Sequence, residues 1–260
     1  GTQDFPCAFY QTGTRIKGNM VKHHWHEEVE LLYFSGGEFC LEVNMERFNI
    51  SEECFYVINP GELHSISVEK NGGCVENAVV FHMDMLSSAY ALDQIQTNLI
   101  QPVQNGSIQF PRCLRKNEPA FEPVRKSYEE IRNVFGGDSF RENYYDGEAV
   151  TDDITRQLFI RSTLLRILAV LSANNLFEVT EKNHDHRIET IKTTLTYIQE
   201  NYKEKIYIRD LAGLIGMNEQ YFCRFFKKVI GRSPMEYVNE YRIKKAMHYL
   251  KESDLTVTEI

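Results

Sequence analysis

The sequence lacks most of the features that mark membrane, secreted and zinc-ribbon proteins. Its six cysteines are scattered without a CxxC pair, which excludes a zinc ribbon and favours reduced thiols over a disulfide scaffold. The longest strongly apolar stretch, residues 164–171, contains Arg166 and is far too short to span a bilayer. Residues 1–20 show no basic segment followed by an apolar one. We therefore expect no secretory signal, no membrane association and a cytoplasmic location.

Proline and glycine are also sparse, at 7 and 15 residues, which excludes a collagenous or low-complexity chain. With 42% apolar and 25% charged residues, the composition is that of a globular protein. A length of 260 residues predicts about two domains.

The net charge of −8 is unevenly distributed along the chain. Residues 1–110 contain five Lys/Arg against fourteen Asp/Glu, whereas residues 205–250 contain nine Lys/Arg against four Asp/Glu. Either the charge varies by chance along a soluble chain, or only the C-terminal part meets a polyanion such as nucleic acid.

Hydrophobic periodicity divides the chain in the same way. Short β-rich segments at 39–43, 55–58 and 75–81, with turn signals at 44–46 and 59–61, predict a β-barrel or sandwich over the first 110 residues. Helical composition follows at 122–135 and 151–177, separated by a loop at 136–139, and again from residue 188 onward.

A helix-turn-helix pattern begins near residue 208. Leu211, Leu214 and Ile215 share one helical face, Gly216 is a helix stop, and Asn218 can cap a second helix. That helix carries an apolar stripe of Phe222, Phe225, Phe226 and Val229, and a different face with Gln220, Arg224, Lys227 and Lys228. Arg and Gln side chains can bind guanine and adenine edges in the major groove. An ordinary helical hairpin with a solvated basic face is the alternative.

Two capping boxes extend this pattern. Ser233 and Glu236, with Pro234 between them, predict the start of a long helix, and residues 256–259 predict another. In this region the sequence resembles the DNA-binding domain of the AraC family of transcriptional regulators. The matching residues are Leu211-Ala212, Gly216-Met217-Asn218, Tyr221 to Lys228, Gly231, Pro234, Tyr237, Arg242, Ala246, Leu250 and Val257 to Ile260.

The resemblance implies two helix-turn-helix units joined by a long helix. This chain is expected to hold the first unit and the connecting helix, with roughly 40 further residues needed for the second. Arg224 and Gln220 are the expected base contacts, and Lys227, Lys228 and Arg232 the expected phosphate anchors. Tyr221 is placed at the same DNA interface.

The densest histidine cluster resembles the first motif of the cupin barrels. Gly18 is followed after five residues by His24 and His26, and then by Glu30 and Gly37 at the expected spacings. The second motif is weaker: residues 60–64 supply His64, but one residue is missing between Pro60 and Gly61, and Val68 stands in place of Asn. Two histidines two apart on one strand would project to the same face.

These four side chains, His24, His26, Glu30 and His64, predict either a metal site for Zn, Ni, Mn or Fe, or a small-molecule pocket. AraC-family regulators commonly have a cupin-like effector barrel without metal, so we expect an effector pocket and no cofactor. A sugar is the effector class that the family suggests.

The middle of the chain offers a surface for pairing. Residues 151–154 are a helix-start signature, and Ile154, Leu158, Leu165 and Leu168 are predicted to form one apolar face, widened by Leu164 and Leu171. Such a face is buried either against its own barrel or against a second chain, and the resemblance favours a homodimer.

Together these observations predict a two-domain α+β protein. Residues 1–115 form a cupin-like effector barrel, residues 116–183 a helical dimerisation and linker region, and residues 184–260 an incomplete all-α DNA-binding domain. The predicted function is a non-enzymatic, ligand-responsive regulator that binds promoter DNA. The alternatives are a metal-dependent cupin enzyme, an isomerase or dioxygenase with a helical tail, and a regulator whose barrel only mediates assembly.

Overall fold

The computed structural model describes residues 5–14, 18–68, 74–90, 93–136, 148–149, 153–180, 185–252 and 256. The chain divides into two compact units, Gly1–Asn183 and His184–Ile260. Part of the predicted loop at 136–139 and residues 257–259 of the second capping box lie outside the described residues.

The first unit is a cupin-like barrel with helices packed on one side, as predicted. Its described strands are β1 (Cys7–Thr14), β2 (Gly18–His24), β3 (Val29–Phe34), β4 (Phe39–Val43), β5 (Glu46–Ile50), β6 (Cys54–Ile58), β7 (His64–Val68), β8 (Cys74–Phe81), β9 (Ile108–Gln109), β10 (Cys113–Arg115), β11 (Glu148–Ala149) and β12 (Glu178–Val179). One sheet has the order β10-β6-β3-β8-β1-β11, a second has β2-β7-β4-β5, and β12 pairs with β9. Neighbouring strands in these sheets are antiparallel.

Alternating side chains create two separate cores on the six-stranded sheet. On β3, Leu32 and Phe34 pack against Phe39 and Leu41 of the other sheet and fill the barrel. The intervening residues of β3 face the opposite way, where helices cover them. The central strand is therefore buried on both faces, which explains why all of its residues except Glu30 are apolar.

The predicted turn between β4 and β5 is present and tight. Asn44 and Met45 both have positive φ, 50° and 69°, which is the backbone of a two-residue hairpin turn of the type that suits twisted strands.

The helices of the first unit are α1 (Gln101–Gln104), α2 (Phe121–Val134) and α3 (Ile154–Ala173), with a π-helical turn over Gln96–Ile100 and a 3-10 turn over Met83–Leu86. Asp153 caps α3, because its Oδ1 accepts a hydrogen bond from the backbone N–H of Thr155 at 2.9 Å. The predicted start of this helix is confirmed.

The prediction that Ile154, Leu158, Leu165 and Leu168 form one apolar face of α3 is wrong. Leu168 is only 3% exposed and packs with Leu164 and Leu171 against the barrel, whereas Ile154 and Leu158 are 72% and 61% exposed. Leu165 is also exposed. At about 100° per residue, Leu168 lies about 60° around the helix from Leu165, across the boundary between the packed and the solvent-facing sides.

The second unit is entirely helical in its described residues, with α4 (His186–Asn201), α5 (Ile208–Leu214), α6 (Glu219–Ile230) and α7 (Pro234–Glu252). Its buried residues include Leu195, Ile198, Leu211, Phe222 and Phe226. Arg242 of α7 ties that helix to the end of α4: its Nε donates to the carbonyl of Tyr202 at 2.8 Å and its Nη2 to that of Glu204 at 2.7 Å.

Candidate functional site

The turn between α5 and α6 follows directly from two residues. Gly216 has φ of +64°, a left-handed conformation that costs glycine little and that ends α5. The side chain of Asn218 then accepts a hydrogen bond from the backbone N–H of Gln220 at 2.9 Å and caps α6. The predicted helix-turn-helix is confirmed, although Leu214, predicted on the same face as the buried Leu211, is 44% exposed.

The two faces of α6 differ sharply. Phe222 and Phe226 are fully buried, and Val229 and Ile230 are nearly so. Phe225, predicted in the apolar stripe, is instead half-buried and stacked parallel to the exposed ring of Tyr221, with 6.5 Å between ring centroids. The solvent-facing side carries Gln220, Arg224, Lys227 and Lys228.

Arg232 is placed differently from the other predicted DNA-binding residues. It follows α6, is half-buried, and forms an ion pair with Glu240 of α7. The start of α7 beside it is a capping box, with the backbone N–H of Ser233 donating to Glu236 at 2.7 Å and that of Glu236 to the Ser233 hydroxyl at 3.3 Å. Arg232 thus joins the C-terminal end of the exposed helix to the connecting helix.

In the first unit, the four predicted pocket residues come together at one end of the barrel. His24 is the last residue of β2, His64 is the first residue of β7 opposite it, and Glu30 lies on β3 of the other sheet. The expectation that His24 and His26 share one strand is wrong, because β2 ends at His24 and the chain then crosses toward β3. His26 lies on this crossing segment and still reaches the cluster.

The ligating atoms of the four side chains lie within 4.8 Å of one another. The Oε2 atom of Glu30 is 3.0 Å from Nε2 of His64 and 3.2 Å from Nε2 of His26. The ring of His24 lies against that of His64, with 4.2 Å between centroids.

The other ring nitrogen of each histidine contacts a backbone carbonyl. Nδ1 lies 2.9 Å from the Lys22 oxygen in His24, 3.1 Å from the Glu28 oxygen in His26, and 2.9 Å from the Glu62 oxygen in His64. Because a carbonyl only accepts, each Nδ1 carries the hydrogen, and the three Nε2 atoms are the ones that face the cluster.

The missing residue between Pro60 and Gly61 does not displace His64, because a buried ion pair holds this segment. Glu62 is 6% exposed; Arg112 donates from Nη1 to its Oε2 at 2.7 Å and from Nη2 to its Oε1. The backbone N–H of Asn59 donates to the same carboxylate at 2.7 Å. These contacts place His64 two residues further along the chain.

The charges in the cluster follow from burial and from these contacts. Burial and the neighbouring His64 lower the pKa of His24 to about 3, so this ring is neutral. Burial would raise the pKa of Glu30, but hydrogen bonds to His26 and His64 outweigh it and hold that pKa far below its usual value. The same bond to Glu30 outweighs burial at His26 and raises its pKa.

A second carboxyl group in the barrel was missed by sequence reasoning. Glu76 of β8 is 2% exposed, and its Oε1 has no hydrogen-bond partner. Burial and the Glu30 carboxylate raise its pKa well above the usual value. The available signal was its parity, since Glu76 shares the inward side of β8 with Ala78 and Val80, which pack in the barrel core.

In the part of the chain that the structure describes, no helix combines the length and apolar character needed to cross a membrane. The five cysteines whose side chains are described form no disulfide with one another.

Comparison with known proteins agrees with both units. Residues 12–132 match the model of the AraC-like ligand binding domain, and residues 211–260 match that of a helix-turn-helix domain. The chain is 26% identical to the uncharacterized HTH-type transcriptional regulator YdeC of Bacillus subtilis, over 100% of this chain and 83% of that protein.

Two further relatives are named as regulators. The HTH-type transcriptional activator RhaS of Citrobacter koseri is 24% identical over 95% of this chain and 80% of its own length. The melibiose operon regulatory protein of Escherichia coli is 24% identical over 93% of this chain and 74% of its own length. With a ligand-binding barrel followed by a helix-turn-helix domain, the chain belongs to the AraC family of transcriptional regulators.

Proposed function

We propose that this regulator binds promoter DNA through the exposed face of α6 and senses a small-molecule effector in the cytoplasm through the barrel cluster. The observation that carries the DNA-binding part is the division of α6. Its buried aromatic side holds the helix in the domain, while Gln220, Arg224, Lys227 and Lys228 face solvent. A rigid helix that presents donors for base edges beside cations for phosphates suits the major groove.

The side chains on this face have different proposed roles. Arg224 and Gln220 contact bases, and Lys227 and Lys228 contact phosphates. The exposed ring of Tyr221, braced by Phe225, lies at the edge of the same face. Arg232, engaged by Glu240, orients the end of α6 and reaches phosphate only if that ion pair opens.

The test uses DNA selected by the wild-type protein from a random library, compared with unselected DNA at one fixed salt concentration. Arg224→Ala should weaken binding to the selected sequence by about 1–3 kcal/mol and change binding to unselected DNA little. Lys228→Ala should weaken both to a similar extent and lower the salt slope by about one. Arg187→Ala is the control, because this exposed guanidinium lies on α4 and is paired with Asp185 at 2.6 Å.

Equal loss on both DNAs for Arg224→Ala would make Arg224 a phosphate contact and refute its base-reading role. If neither α6 variant changes binding more than the Arg187→Ala control does, α6 is not the DNA-reading helix.

We further propose a homodimer that pairs through the exposed side of α3. Ile154, Leu158 and Leu165 lie at i, i+4 and i+11, which places them along one side of the helix. Three large aliphatic side chains left exposed on one side of a 20-residue helix form a surface suited to a second copy of the same helix.

For the effector, we propose that the cluster of His24, His26, Glu30 and His64 is the binding site and that the chain is not an enzyme. A cupin enzyme would use the same four side chains, but the compared relatives are named as regulators of transcription. A sugar remains the proposed effector class, and the name of the melibiose operon regulatory protein supports it.

Titration calorimetry with melibiose and a panel of monosaccharides tests this proposal. A binding sugar should lose its affinity in Glu30→Gln and keep it in His23→Ala, whose ring contacts Glu42 at 3.2 Å outside the cluster. Absence of binding for the whole panel would refute the sugar as effector.

A further inference from the structure

We propose that His24, His26, His64 and Glu30 bind a divalent first-row transition-metal ion, and that the effector site of this regulator is therefore a metal site. The proposal deepens the effector site proposed above and replaces the expectation of a metal-free pocket. It concerns occupancy of the barrel only, so it can fail or succeed independently of DNA recognition.

The first argument is the fixed direction of the three imidazoles. With each Nδ1–H donated to the carbonyl of Lys22, Glu28 or Glu62, a neutral ring has a bare lone pair on Nε2. A backbone carbonyl on the outer ring nitrogen is also the usual surrounding of a metal-binding histidine, because it selects the tautomer and fixes the ring plane.

The second argument is that the four groups converge on one place in the barrel. Glu30 Oε2 is approached by two Nε2 atoms, at 3.0 Å and 3.2 Å, and the ring of His24 lies against that of His64 with 4.2 Å between centroids. A single cation placed among the four groups would contact the carboxylate and all three ring nitrogens at once.

Distances are compatible with one ion. Metal–nitrogen and metal–oxygen bonds of about 2.0–2.2 Å place ligand atoms about 3–4 Å apart. The four ligand atoms lie within 4.8 Å of one another. Side-chain movements that shift each ligand atom by less than about an ångström would therefore bring all four to bonding distance of one ion.

The donor set indicates the class of metal. Three imidazole nitrogens and one carboxylate suit Zn, Ni, Fe or Mn, whereas Mg²⁺ and Ca²⁺ prefer sites built from oxygen alone.

The chain also offers a matched control. His23 is adjacent to His24 but lies outside the cluster, where its Nε2 contacts Glu42 at 3.2 Å and the Ser65 hydroxyl at 3.3 Å. Replacement of His23 removes one imidazole from the same strand and leaves the four proposed ligands in place.

The experiment removes bound metal from the purified chain with a chelator and then titrates Co²⁺, followed by its visible absorption, and Zn²⁺, followed by calorimetry. We expect one ion per chain in the wild type and in His23→Ala. His64→Ala and His24→Ala should each lower the affinity at least tenfold and change the Co²⁺ spectrum. Far-UV circular dichroism in chelator establishes that each variant is folded.

Several results would overturn the proposal. These are no Co²⁺ spectrum in the folded wild type, binding well below one ion per chain, or an equal loss of affinity in His23→Ala and His64→Ala. Should His64→Ala not fold, His24→Ala and the wild-type spectrum decide the question. A final titration of selected DNA with and without Zn²⁺ separates the two proposals, since metal binding without a change in DNA affinity keeps the site and refutes its sensory role.

Discussion

Replacement of Leu158 by alanine should weaken the proposed dimer without unfolding the protein. Leu158 is 61% exposed in the chain, so pairing of two α3 helices can still bury most of its side chain. Full burial of a leucine is worth about 1.5–3 kcal/mol, and the exposed fraction therefore contributes about 1–2 kcal/mol per copy. In a symmetric dimer the position occurs twice. The dissociation constant should rise about 30- to 1,000-fold.

Leu168→Ala on the same helix is the matched control. Leu168 is 3% exposed and packs in the core of the first unit, so its truncation should lower the free energy of unfolding by about 2–5 kcal/mol. Any folded Leu168→Ala protein should dimerise as the wild type does. Leu158→Ala should lower the free energy of unfolding of the monomer by less than about 0.5 kcal/mol.

Sedimentation equilibrium measures the dissociation constant, and urea denaturation measures the free energy of unfolding. A wild type that sediments as a monomer at high micromolar concentration would refute the dimer. A dimer whose dissociation constant is the same for the wild type, Leu158→Ala and Ile154→Ala would place the interface elsewhere.

Three further changes test other parts of the structure. Arg112→Ala should lower the free energy of unfolding by about 3–5 kcal/mol in urea denaturation, because it leaves the Glu62 carboxylate buried without its cation; a loss below about 1 kcal/mol would contradict this. Asn218→Ala should cost about 1 kcal/mol through the lost cap of α6, and Asn218→Gly only a few tenths, by the same measurement. The raised pKa of Glu76 means that the folded protein keeps a proton that the unfolded chain loses above its ordinary pKa of 4.5. In chelator-treated protein, the free energy of unfolding should therefore fall as the pH rises from about 4.5 toward the pKa of Glu76 in the folded state. Glu76→Gln should flatten this fall, and an unchanged pH profile would show that Glu76 is ionised in the fold.

The local features that the sequence predicted correctly depend on short-range chemistry. The stop at Gly216, the cap at Asn218 and the capping box at Ser233 each involve residues within four positions of one another. The β-rich segment at 39–43 likewise predicted the strand β4, because Phe39, Leu41 and Val43 alternate along it and pack in the barrel. For these elements the sequence and the structure agree.

The errors of sequence reasoning arise where a boundary is set by packing between distant segments. Helical periodicity placed Leu165 and Leu168 on one face, but only contact with the barrel decides which of them is covered. Phe225 was likewise predicted in the buried stripe of α6, but its ring is half-buried and stacks on Tyr221. Glu76 has the same parity on β8 as Ala78 and Val80, but only the packing of the barrel shows that this side of the strand faces the interior.

For the barrel cluster, the sequence determined which four side chains are present and that His24, His26 and Glu30 follow the spacing of a known motif. Only the tertiary structure decided that His64 joins them despite the weak second motif, because Arg112, 50 residues away in sequence, holds Glu62 and the segment before β7. It alone also decided the direction of each imidazole. That direction depends on where three backbone carbonyls lie after the strands have paired, and such positions cannot be read from residue identity or spacing.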